Sequence, residues 1–231
     1  MPDHESNKPN LRQWEKHLEA LVSQADPAIL HPERMGAEEI RNFRDDRGHR
    51  RAVDVPFLTF RGGGKVADRP GDATPDELLW WALHDETVDV DRILAENRPQ
   101  PVDKSQLHHL RGGEGGLFAQ GLFRTIEVWT EADLAGLHAL WHLARKQKRK
   151  DWQEKVLKTA AWHVEEVQPD NGTNHPWALH VFLFLAREGD SPGALLHAET
   201  LLNNSLITLG RPDRFSAHIL ADCAACLREL H

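Results

Sequence analysis

Four histidines fall at matching places along the chain. Leu137-His138, four residues, then Leu143-Ala144-Arg145 returns 42 positions later as Leu179-His180, four residues, then Leu185-Ala186-Arg187. Trp81-Ala82-Leu83-His84 has a counterpart in Trp177-Ala178-Leu179-His180, and Ala217-His218 followed by Cys223-Ala224-Ala225 is a fainter copy. Repetition at this period marks stacked supersecondary units. His84, His138, His180 and His218 are therefore expected in one row on successive helices. Imidazoles that share a cavity can bind a metal or move protons near neutral pH. The bland alternative is a set of core histidines, each bonded to a carbonyl or a water.

Other residues of chemical interest cluster near the C-terminus. His218 and Asp222 stand four apart, so on a helix the carboxylate can orient the imidazole. Cys223 and Cys226 have the spacing of half a metal site or a redox pair, but they fall inside an apolar helical stretch, where two small core residues are the simpler reading. Without a closed Cys or His spacing, no metal and no other cofactor is expected. The candidate catalytic residues are His138, His180, His218 and Asp222. The candidate ligand-binding residues are His84, Trp141 and Trp177, together with Asn171, Asn174 and His175 from the polar loop 169–175 that precedes an apolar helix. Gly62-Gly63-Gly64-Lys65 lacks the first glycine and the Ser or Thr of a phosphate loop and reads as a turn. The basic run 145–150 reads as a solvated helix end.

The elements that must position these groups are helical. Asn10 and Gln13 form a capping-box pattern ahead of Leu11, Trp14, Leu18, Leu21 and Val22 at helical spacing. Ala37 to about Asp46 reads as a short helix, Val53 to Phe60 as extended, and Arg61 to Pro70 as a glycine-rich loop. Thr74, Pro75 and Glu77 start another helix, and a short one includes Ile93 and Leu94. Five glycines between Arg111 and Gly121 separate this half from a denser one. There, Thr130 and Asp133 cap a helix that runs to about Lys146, whose only polar side chains between Leu134 and Ala144 are His138 and His142. A helix apolar all round is buried on all sides. Trp152 to Val167 has one apolar stripe, Trp177 to Ala186 is again apolar except for His180, Pro192 to about Asn203 is one-sided, and Ser216 to Leu230 is mixed. The expected fold is all-α, with helical hairpins in inner and outer layers. Residues 1–73 form an N-terminal arm and 74–231 the hairpin domain.

The stretch Lys158-Thr159-Ala160-Ala161-Trp162-His163-Val164, continued by Gln168-Pro169-Asp170-Asn171-Gly172 and reaching Trp177, resembles the Gln-Trp repeat of squalene cyclases and related terpenoid cyclases. The resemblance implies an α/α toroid, incomplete in a chain of this length, in which the Gln and Trp of each repeat tie an outer helix to the following inner one. The tryptophan comes later after Gln168 than in the family. The acid motif of those cyclases, Asp-x-Asp-Asp, is replaced by Asp89-Val90-Asp91-Arg92. The related protein prenyltransferases hold zinc with Asp, Cys and His, but Asp222 and Cys223 are adjacent where that family has a gap. The resemblance thus implies a shell and no mechanism.

Composition bounds the rest. A formal charge of −8 over 231 residues offers no field for nucleic acid, and no apolar run reaches the roughly 20 residues of a membrane span. Two cysteines and a polar N-terminus point to the cytoplasm. Three functions remain open. One is a non-catalytic module that binds an apolar or glycan ligand or a protein partner. Another is an enzyme whose cavity histidines act on a sugar or other polar substrate. The third is a structural body whose inner helices fill the centre.

Overall fold

The computed structural model describes residues 8–25, 31–62, 69–99, 115–167, 174–189 and 191–231. Among them the regular structure is entirely helical. The helices are α1 (Leu11–Val22), α2 (Ala37–Arg41), α3 (Asp54–Gly62), α4 (Pro75–Trp81), α5 (Val90–Glu96), α6 (Ile126–Lys146), α7 (Lys150–Glu166), α8 (Leu179–Glu188), α9 (Pro192–Leu206) and α10 (Arg214–Arg228). No described helix is long and apolar enough to cross a membrane.

Local chemistry sets most of the helix starts. The Asn10 side chain accepts the Gln13 amide at the head of α1, and Ser191 and Asp213 do the same for α9 and α10. Each satisfies a donor that has no partner within the helix. Thr74 and Glu77 close a capping box on α4, with both the amide and the hydroxyl of Thr74 donating to Glu77 Oε2. Two sequence expectations are corrected here. Val53 to Phe60 is not extended but lies in α3; Pro56 falls in its first turn, where the missing amide costs no intrahelical bond. Helix α6 starts at Thr125, whose side chain accepts the Val128 amide, and not at Thr130, whose hydroxyl bonds the Ile126 carbonyl within the helix.

Pairs of helices pack in sequence: α6 on α7, α8 on α9, and α10 on α1. In α6, α8 and α10 most residues are buried, whereas α7 and α9 bury one stripe each, as the apolar patterning predicts. Among the described residues of 1–73, several pack into the hairpin core. Leu11 and Leu18 of α1 and Phe57 and Leu58 of α3 belong to the same buried core as α6, α8 and α10. Arg228 of α10 adds ion pairs to Glu15 and Glu19 of α1.

The centre is filled with rings. Phe57, fully buried on α3, lies 4.9 Å from Trp80 of α4, 6.3 Å from His138 of α6, 4.9 Å from Trp177 just ahead of α8 and 5.8 Å from Phe215 of α10 (ring centroids). Edge-on and tilted contacts at these distances are favourable for aromatic quadrupoles. One side chain on a helix that the periodicity did not reveal thus occupies the space that a central cavity would need.

The glycine-rich segment is no mere spacer. Leu117 and Phe118 are fully buried against α6, and Asp133 Oδ2 and Oδ1 accept their amides at 3.2 and 2.8 Å, respectively. Gly136 permits this contact, since a Cβ there would lie 2.5 Å from the Phe118 ring. Asp133 therefore caps nothing. It is a fully buried acceptor that also takes His163 Nε2 of α7 at 2.8 Å.

Candidate functional site

Two neighbouring regions gather chemically competent side chains: a buried His–Asp–Cys cluster and a cleft lined by acids and a histidine.

The cluster is built from two helices by the same geometry. His138 and His142 stand four apart on α6, and Asp222 and Cys226 four apart on α10, so each pair shares a helix face. Asp222 Oδ2 receives His138 Nε2 at 2.9 Å and His142 Nε2 at 2.6 Å. Its Oδ1 receives Arg61 Nη1 of α3 at 3.1 Å. Cys226 Sγ lies 3.7 Å from His142 Nε2. On the far side, His180 Nδ1 is 3.4 Å from Cys223 Sγ, and the His180 ring is 4.4 Å from that of His138. Among the described residues, His138, His142, Asp222 and Cys226, and separately His138, His180 and Cys223, place ligand atoms close enough to share one ion.

Burial sets the protonation of the cluster. It lowers His138 to about 4 and His180 well below the usual imidazole range, despite the adjoining carboxylate. Burial also favours a neutral Asp222, but the charge of His142 and the hydrogen bonds from His138 and His142 outweigh it and hold the carboxyl well below its ordinary value. Both thiols are pushed up by burial. The backbone amide of Ala178 donates to His138 Nδ1 at 3.3 Å, which leaves the proton on Nε2 to be donated to Asp222. Ala178 holds that amide in place from a left-handed conformation, φ 55°, which alanine rarely adopts.

The single row of histidines does not form. His138 and His180 meet, but His84 is exposed and rests against Phe60, and His218 packs on Phe43 with both ring nitrogens buried and unbonded. The expected His218–Asp222 pair is also absent: Asp222 turns to α6 and α3, where two imidazoles and a guanidinium offer more than one neighbour on its own helix. His142 was named in the sequence as a polar interruption of α6, and Arg61 as the edge of a loop. The available signal for His142 was its i, i+4 relation to His138, whereas Arg61, 161 positions from Asp222, carried none. Trp141 is buried against His180 and Phe184.

The cleft lies where the segments leading into α3, α4 and α8 meet α6. It encloses about 350 Å³. Val53, Phe123, Val128, Ala132 and Ala135 supply apolar wall, and Arg51, Thr74, Asp76, Glu131, Asn174 and His175 supply polar groups. Asn174 and His175 line this cleft, while Asn171 lies outside the described residues. Trp177 forms the floor behind them, fully buried, with its indole Nε1 donating to Glu131 Oε1 at 3.2 Å. His175 Nδ1 is 3.0 Å from Ser216 Oγ, whose hydroxyl reaches Asp213 Oδ2 at 3.0 Å. Gln168 also lies outside the described residues; of the two tryptophans in that repeat, Trp177 is buried and Trp162 half-buried.

Burial raises the Glu131 carboxyl to about 8, with Arg51 opposing. A fifth of its side chain is exposed, and that exposed part faces the cleft. Burial likewise raises Asp76 to about 6 and neighbouring Asp54 to about 7. His175 is held well below its ordinary value by burial and by Arg51. At neutral pH the cleft therefore presents a protonated carboxylic acid, a mostly ionised carboxylate, a neutral imidazole and a guanidinium. Arg51 Nη1, Asp76 Oδ1 and His175 Nε2 are all buried without a hydrogen-bond partner. Unpaired buried polar atoms are costly and uncommon, and three on the walls of one cleft call for an explanation.

Comparison with known proteins returned no matching family model, no matching curated protein and no matching solved structure.

Proposed function

We propose that the chain is an acid–base enzyme acting on a small hydroxylated substrate of the sugar or polyol class, bound in the cleft between Arg51, Asp76, Glu131 and His175. One observation carries this reading. Three lining residues each leave a buried polar atom unpaired beside a carboxyl group that burial keeps protonated. A ligand with both donors and acceptors completes such a set once the Arg51 and Asp76 side chains turn toward it: its oxygens take Arg51 Nη1, and its hydroxyls give to Asp76 Oδ1. Two acids held apart in pKa then divide the roles, with Glu131 as proton donor and Asp76 as acceptor. Apolar wall with a few convergent polar groups is the ordinary composition of a small-molecule site.

The filled centre removes the support for an apolar ligand inside the helical layers. An incomplete toroid of cyclase type remains our reading of the hairpin order, without the activity of that family. Two unpaired cysteines and a net charge of −8 favour a cytoplasmic protein with no nucleic-acid role.

Calorimetric titration with a panel of mono- and disaccharides and polyols, beside a panel of simple carboxylates, tests the proposal. Saturable one-to-one binding of a panel sugar or polyol is expected, lost in Asp76→Asn and kept in Cys226→Ser, which lies outside the cleft. Binding that survives Asp76→Asn, or a response to carboxylates alone, would overturn it.

A further inference from the structure

The His–Asp–Cys cluster plays no part in the proposed chemistry of the cleft, and it has the ligands of a metal centre. We infer that His138 Nε2, His142 Nε2, Asp222 Oδ2 and Cys226 Sγ bind one zinc-class divalent ion per chain.

Geometry carries the inference. The four ligand atoms lie within 4.8 Å of one another. A tetrahedral ion with bonds of about 2.0–2.3 Å to N, O and S needs ligand atoms some 3.3–3.7 Å apart. The His142–Cys226 separation of 3.7 Å already meets this, and the 2.9 and 2.6 Å contacts to Asp222 must open by roughly half an ångström. Four donors of mixed N, O and S type suit zinc and exclude calcium and magnesium, which take oxygen. Each helix contributes an i, i+4 pair, so the site is specified by the side chains that α6 and α10 turn toward each other.

The surroundings fit an ion as well. Arg61 Nη1 holds Asp222 Oδ1 and so aims Oδ2 at the imidazoles, the outer-sphere role that fixes a ligating carboxylate. His138, Asp222 and Cys226 are almost wholly buried, but 17% of the His142 side chain and 19% of the Arg61 side chain reach the surface, which gives an ion a way in. The fully buried His180–Cys223 contact has no such opening and serves as packing.

Loading conserves protons in a simple way. The Cys226 thiol gives its proton to solvent as the metal–sulfur bond forms. Each ligating imidazole keeps one proton, carried on Nδ1 once Nε2 binds the ion, and a second proton, where the ring carries one, also goes to solvent. For His138 this displaces the 3.3 Å contact from the Ala178 amide, a long hydrogen bond, in addition to the opening of the contacts to Asp222. His138 is therefore the weakest of the four ligands.

Cobalt(II) titration of the full-length, chelator-treated protein tests the site, with zinc as competitor. The expected result is saturation at one equivalent, with tetrahedral d–d bands and a thiolate-to-cobalt charge-transfer band that zinc abolishes. Cys226→Ser should lose the charge-transfer band while retaining its helical circular dichroism, and Cys223→Ser should keep the band. His142→Gln should lose more affinity than the roughly 10–100-fold that removal of the outer partner, Arg61→Gln, costs. Failure of the wild-type protein to take up one equivalent, or loss of the charge-transfer band in Cys223→Ser but not in Cys226→Ser, would overturn the inference.

Discussion

Replacing Phe57 by alanine should be the most damaging single truncation in the core. The ring is fully buried and touches an aromatic side chain on, or next to, each of α4, α6, α8 and α10, so no one neighbour can move in without leaving another. Loss of a buried Phe side chain typically costs about 3–5 kcal/mol, and the cost rises with the volume of cavity left unfilled. Four stiff rings around the gap place this site in the upper half of that range, since two of the lost contacts, at 4.9 Å, are T-shaped pairs worth about 0.5–1.5 kcal/mol each beyond buried area. For a chain of this length about 4–5 kcal/mol corresponds to a fall in Tm of roughly 8–20 °C. Urea denaturation followed by tryptophan fluorescence and by circular dichroism would measure the loss, and coincident curves would show that the transition remains two-state. Phe57→Leu should recover more than half of it. A loss below about 2 kcal/mol for Phe57→Ala would mean that the rings close over the gap, and that α3 is an appendage and not the filler of the centre.

Stability should fall as the pH rises from about 6 to 8. Glu131, raised from 4.5 to about 8 by burial, holds its proton when folded and releases it when unfolded, so its contribution is complete below 4.5 and is lost through about 8. His197 and His218 act from the other side: burial lowers both to about 3, so stability is lost as the pH drops below 6.5. Denaturation midpoints across this range should peak near pH 6, and Glu131→Gln should flatten the alkaline limb; a wild-type midpoint that climbs from pH 6 to 8 would contradict the assignment. Asp133→Ala strands the Leu117 and Phe118 amides and His163 Nε2 in a fully buried position. At about 1–3 kcal/mol for each stranded group, the loss should reach at least about 3 kcal/mol by chemical denaturation, and a loss under about 1 kcal/mol would show that the segment 115–118 is not held by this carboxylate.

The all-helical class and the alternation of buried with half-buried helices were legible in the chain itself, because both follow from where apolar residues recur at helical spacing. The starts of α1 and α4 were legible for a similar reason: a cap is made within three residues of the group that it satisfies. Helix α3 was not. Val53 to Phe60 is apolar without a clear period because it is surrounded by protein, and a run buried on all sides carries no helical stripe to read. The site divides in the same way. The repeat pointed to His138 and His180, and the loop before α8 pointed to Asn174 and His175, and the structure places these in the cluster and the cleft respectively. Asp222 was expected beside His218 because helix geometry makes neighbours of residues four apart. Its actual partners are 84, 80 and 161 positions away. Glu131 and Asp76 carried no signal in the sequence, since a carboxylate on a helix looks alike whether it faces water or a cleft. Their raised pKa values arise from desolvation, which depends on what other elements stack against them. Local sequence fixed which faces had to be buried, and only the packing of α3, α6 and α10 decided which polar groups were buried with them and in whose company.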